Sequence, residues 1–136
     1  MNYNKQTVKD VPLSGKKVLL RCDFNVPQDK ATGEITSDKR IVAALPTVQY
    51  LLAQGAAVIA CSHLGKPEPD FEKWVKKQTE KGKDPAELTE EKWKKSLKKL
   101  TLAPVAERLS ALLGKPVLFA HDVVGPDAKA KAAALK

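Results

Sequence analysis

No stretch of this sequence reaches the roughly 18 apolar residues that a membrane-spanning helix needs. The opening Met-Asn-Tyr-Asn-Lys-Gln holds no apolar segment of a secretory leader. Cysteine is scarce. Cys22 and Cys61 are the only two, and both fall inside apolar, strand-like stretches. They read as buried thiols in a reducing compartment, not as a disulfide framework. The phosphate loops of nucleotide enzymes are missing as well, since neither GxxxxGK[ST] nor GxGxxG occurs. No nucleotide site is legible, and no Ser/His/Asp set emerges from spacing. Zinc on Cys22 and Cys61-x-His63 fails because Cys22 has the opposite pleat parity from the polar residues around it and the usual paired-ligand spacing is absent. The expectation is a soluble, cytoplasmic protein without a bound metal.

What the sequence does have is positive charge. It carries 24 Lys and Arg against 16 Asp and Glu, a net +8 over 136 residues. That length suits about one domain with a real core. The charge favours anionic partners such as phosphates, nucleic acid or an anionic membrane surface. Many of the lysines lie between residues 73 and 99, where they alternate with acids. Such a run describes a solvated helix face, so neither nucleic acid nor membrane is expected as a partner.

Three short apolar segments, Lys17–Phe24, Ala56–Ser62 and Pro116–Ala120, are predicted strands. Runs of this kind are usually buried on both faces, as in a parallel sheet. Helical spacing lies between them. One helix follows Ser37 as cap, with Ile41, Ala44, Val48 and Leu51/Leu52 on one face, a kink expected at Pro46, and Gly55 as the stop. A second starts near Thr101, with Pro104 in its first turn, Val105, Leu109 and Leu112 on its buried face, and Gly114 after it. A third starts at Gly125-Pro126 and is expected to run to Lys136. The order β-α-β-α-β-α predicts an α/β fold, a three-layer αβα arrangement around a parallel sheet. Residues 68–100 interrupt that rhythm and read as two inserted amphipathic helices. Phe71, Trp74 and Val75 lie on one, and Trp93, Leu97 and Leu100 on the other, after Thr89 as cap.

The strand ends carry the chemistry. In an extended chain Arg21, Asp23 and Asn25 point one way, and Leu20, Cys22, Phe24 and Val26 the other. Ligands of open parallel sheets sit outside the carboxyl ends of the strands. The second strand leaves its apolar run at Ser62-His63 and continues Leu64-Gly65-Lys66, the third ends at His121-Asp122, and Arg40 falls in the first turn of the first helix. Each residue has an ordinary structural role open to it. Asp23 and Asn25 can cap a turn before Pro27, Arg21 can pair with Asp23, and His63 and Lys66 can serve an edge and a loop. Their convergence suits a small phosphorylated, hydroxylated acid. Arginine grips carboxylate or phosphate bidentately, and Asp23 can accept from a hydroxyl.

The stretches RCDFNVP, SDKRIVAALPTVQYLLAQGAAVIACSHLGKP and LAPVAERLSALLGKPVLFAHDVVGP closely resemble the N-terminal domain of phosphoglycerate kinase. The resemblance implies phosphoryl transfer between 1,3-bisphosphoglycerate and ADP in glycolysis, by a two-domain, usually monomeric enzyme. Its N-terminal domain holds 3-phosphoglycerate, and its C-terminal domain holds Mg-ATP or Mg-ADP. Carried over, Asp23, Phe24 and Asn25 match the first substrate-binding stretch, with Asp23 on the substrate hydroxyl. Arg40 matches the arginine that steadies the carboxyl end and the transferring phosphoryl group. His63, Leu64, Gly65 and Lys66 match the stretch on the 3-phosphate, and Arg21 adds to the basic patch. This sequence departs from the family in three ways: Lys66 stands where arginine is usual, residues 68–100 exceed the usual connection, and the later arginines and the nucleotide domain do not occur in residues 1–136. The expectation is a partial N-terminal domain, inactive alone, with a non-catalytic phosphate-binding or interaction module as the alternative.

Overall fold

A computed structural model describes residues 4–136. They divide into two compact units, one holding the chain up to His63 together with Leu102–Lys136, the other Leu64–Thr101.

In the first unit, strands β1 (Lys17–Arg21) and β2 (Ala57–Cys61) pair in parallel, in register from Lys17 against Ala57 to Arg21 against Cys61. Helix α1 (Lys39–Ala53) connects them and packs on β2 and on α4 (Ala103–Leu113). Its buried stripe is Ile41, Val48 and Leu51, at the spacing expected. The helix runs unbroken through Pro46, which cannot donate to the Val42 carbonyl one turn back. It begins one residue later than expected. Asp38 holds the cap position, but its carboxylate makes no cap bond, because Arg108 takes it through Nε at 2.8 Å and Nη2 at 2.6 Å.

The end of α1 follows from glycine. Gly55 sits at φ +78°, which lets its N–H reach the Leu52 carbonyl at 3.0 Å and the Ala56 N–H reach Leu51 at 3.0 Å. These are the paired bonds of a Schellman ending. The turn seats Leu51 and Ala56 with Leu13 in a core that Val8, Val18, Leu20, Tyr50 and Val58 cover.

The α/β class and the parallel sheet are as expected, but among the described residues the sheet has two strands. Pro116–Ala120 forms no strand. A strand exists only as half of a ladder, this segment pairs with neither β1 nor β2, and Leu118 is 68% exposed. The strands are also shorter than expected and not buried on both faces, for Leu19 is 71% exposed. In α4, Pro104 occupies the first turn, Val105 and Leu109 are buried, and Gly114 closes the helix in the left-handed conformation. Helix α5 (Pro126–Ala134) stops two residues short of the expected Lys136. Asp122 caps it from the preceding loop, accepting from Asp127 N–H at 3.0 Å and Ala128 N–H at 2.8 Å. Lys17 Nζ donates to the carbonyls of Ala132 at 2.7 Å and Ala133 at 3.1 Å.

The second unit is built on α2 (Phe71–Glu80) and α3 (Glu90–Lys98), joined through a 3-10 turn at Pro85–Glu87. Asp70 caps α2 by accepting from Lys73 N–H at 3.0 Å, and Thr89 caps α3 through Lys92 N–H at 3.3 Å. Phe71 stacks on Trp74 and tilts against Trp93, with centroids 6.1 and 5.7 Å apart. Trp93 Nε1 donates to the Glu68 carbonyl at 2.8 Å.

Candidate functional site

Beyond Arg21 the chain stays extended, and the expected alternation holds. Cys22, Phe24 and Val26 are buried, while Arg21 and Asp23 are exposed and Asn25 is half-buried. Apolar burial on one side therefore forces the charged residues to the other. Burial pushes the Cys22 thiol up from its ordinary range, with the neighbouring Cys61 adding to the effect.

A short hairpin then turns the chain back. Gln28 bridges Ile35 antiparallel, Asp29 N–H donates to Glu34 at 2.8 Å, and Thr36 N–H donates to Pro27 at 3.0 Å. The Asp29 carboxylate folds the tip by accepting from Ala31 and Thr32 N–H, each at 2.8 Å. The return leads into α1, whose second residue is Arg40.

Arg40 Nη1 donates to Asp23 Oδ1 at 3.1 Å and to the Asn25 carbonyl at 2.9 Å. Asp23 Oδ1 also accepts from Asn25 N–H at 3.1 Å. That backbone bond, with the Arg40 charge behind it, holds the Asp23 carboxyl below its ordinary range. Arg21 does not pair with Asp23 as one reading allowed. Its guanidinium donates to the Cys22 carbonyl, and its Nη2 lies 2.8 Å from His63 Nδ1. A guanidinium only donates, so Nδ1 accepts and the ring proton is left on Nε2. His63 thereby presents a donor at its free edge.

The first unit thus brings together Asp23, Asn25 and Arg40, and separately Arg21 and His63. Leu64, Gly65 and Lys66 belong to the second unit, where Leu64 is buried and Lys66 exposed. Gly65 has φ +64°, and a Cβ there would lie 2.8 Å from Leu100 Cδ2. Two contributors were not singled out from the sequence. Ser62 Oγ accepts from Phe24 N–H at 2.8 Å, and Arg108 holds the start of α1 through Asp38. Ser62 at least had a signal, as the first polar residue after the apolar run of β2.

A parallel α/β sheet with charged strand ends and a crossover helix defines the general class. The chain belongs to the phosphoglycerate kinase family, whose sequence pattern matches residues 8–136. The phosphoglycerate kinase of Clostridium botulinum strain Eklund 17B is 47% identical, with 100% of this chain and 28% of the relative aligned. That of strain Langeland is 44% identical, over 95% of this chain and 26% of the relative. Among solved structures, phosphoglycerate kinase from Pyrococcus horikoshii OT3 matches with a TM-score of 0.67 and 31% identity, over 95% of this chain and 25% of that one. The Coxiella burnetii phosphoglycerate kinase matches with a TM-score of 0.54 and 38% identity, over 79% of this chain and 21% of that one. The chain spans about a quarter of the length of the curated relatives it matches.

Proposed function

We propose that these residues supply the 3-phosphoglycerate side of a phosphoglycerate kinase, as part of its N-terminal domain. The observation that supports this most is Arg40, held at once by Asp23 Oδ1 and the Asn25 carbonyl. One guanidinium edge is spent on positioning, and its remaining donors are left for a carboxylate or phosphoryl oxygen. In this reading Asp23 stays ionised and accepts from the substrate hydroxyl. Arg40 steadies the carboxyl end and the charge that develops on the transferring group. The Nε2–H of His63 meets the 3-phosphate, with Arg21 behind His63, and the family resemblance assigns Lys66 to that group as well. Phe24 fixes the first stretch by its burial, and Gly65 shapes the second. Lys66 offers a point charge where an arginine would offer a fork.

Phosphoryl transfer asks little covalent help from a protein. It needs the acceptor and donor held in line and the spread negative charge met by fixed donors. Mg-ADP or Mg-ATP enters as the co-substrate. Among the described residues no group of three or more His, Cys, Asp or Glu is placed to hold a metal ion. No helix among these residues is long and apolar enough to cross a membrane. The whole protein is read as a monomeric cytoplasmic enzyme of glycolysis, without nucleic acid or membrane as partner.

An amide NMR titration of this chain with 3-phosphoglycerate, against inorganic phosphate and sulfate, tests the reading. Selective shifts at Asp23–Asn25, Arg40 and His63–Lys66 are expected. A dispersed spectrum with no selective shift would overturn it.

A further inference from the structure

The parallel ladder of β1 and β2 runs from Ala57 N–H on the Lys16 carbonyl, at 2.8 Å, to Cys22 N–H on the Cys61 carbonyl, at 2.9 Å. Continued in the same register, the next rung would join Phe24 N–H to the His63 carbonyl. Phe24 N–H donates to Ser62 Oγ instead, at 2.8 Å. The Ser62 hydroxyl lies 3.4 Å from the His63 carbonyl oxygen. A side-chain hydroxyl therefore stands in the ladder between the donor and the acceptor that the register would have joined. The Cys22 carbonyl beside it, which the same register would offer to His63 N–H, is taken by the Arg21 guanidinium. Two side chains replace a rung and its neighbour, and the strands part at the point where their polar residues begin.

The substitution has a clear physical cost if undone. Phe24 is 4% exposed, so its N–H needs a partner, and a buried donor left unmade is costly. Removing the hydroxyl leaves the strand end without that acceptor. It frays, because the Phe24 N–H loses the acceptor that stands in for the rung.

We propose that Ser62 is a positioning residue of this site, whose hydroxyl sets the separation between the Asp23–Asn25 segment and His63. The inference rests on the reading that these two strand ends hold phosphoglycerate. The test uses the whole chain with Ser62→Ala and Ser62→Thr, read by amide exchange and by titration with 3-phosphoglycerate, with inorganic phosphate as control. Ser62→Ala is expected to speed Phe24 exchange and weaken 3-phosphoglycerate binding, each about tenfold, and to change phosphate binding less than about twofold. Ser62→Thr keeps the hydroxyl and should stay within about threefold of the unsubstituted chain. The amides of Ile41 and Leu51 report global opening and should not change. Unchanged Phe24 exchange in Ser62→Ala would overturn the proposal. So would equal failure of the threonine variant, or faster exchange at Ile41 and Leu51 in step with Phe24. If the unsubstituted chain binds no 3-phosphoglycerate, the functional reading fails by itself. Phe24 exchange then still decides whether Ser62 holds the strand end.

Discussion

Arg40 and Asp23 form an ion pair at 3.1 Å whose side chains are 50% and 58% exposed. Exposed pairs contribute little to stability, so this one matters for what it orients. Asp23 has a second partner in Asn25 N–H, the larger cause of its lowered carboxyl pKa. The sign of the pH dependence follows. A carboxyl whose folded value is depressed adds stability above its unfolded pKa and loses it as pH falls through the folded one. The Asp23 carboxyl carbon should therefore titrate below the ordinary 3.8 in a carbon-detected NMR titration, and Arg40→Ala should move it back up. A wild-type titration at or above that value would show that the pair is not kept in solution.

At the scale of elements, α1 and α4 were legible because their apolar residues recur at helical spacing between clear stops. The polar face of the first strand end was legible because a period of two leaves no choice of side once Phe24 and Val26 are buried. What failed depended on partners. Pro116–Ala120 has strand composition, but composition does not supply the neighbouring strand that makes a ladder. Asp38 displaced Ser37 as the start of α1 because Arg108, 70 residues away, claimed its carboxylate. The pairing of Arg40 with Asp23 and the place of Ser62 depend on register and on the hairpin at 28–35, neither of which is local. The Thr89 cap of the second unit was readable, and it is testable. Thr89→Ala should destabilise the second unit by about 0.5–2 kcal/mol, seen as faster exchange in α3. The first unit, where Leu51 is fully buried, should hold its exchange pattern. An equal loss in both would mean that the two units melt together.

At the scale of the whole molecule, the proposed reading assigns these residues the phosphoglycerate half of the reaction and gives them no part in holding the nucleotide. A coupled assay of this chain alone with ATP and 3-phosphoglycerate should accordingly show no turnover, and measurable turnover would overturn that division of labour. The contact between Lys17 and the last turn of α5 has a consequence of its own. It spans 115 residues, and α5 contains no buried residue, so the helix is moored by a lysine and its caps more than by packing. Elements with few buried apolar contacts open at low free energy and independently of the core. The amides of Lys129–Ala134 should then exchange orders of magnitude faster than those of Leu51 and Val105, as in foldons at the low-stability end. A protease that samples open states would make its first cut there, with β1 still paired to β2. Lys17→Met would advance that cut without touching the core. In effect, the positive charge at the start of the first strand is a clasp on the last helix, and the chain comes undone from its far end.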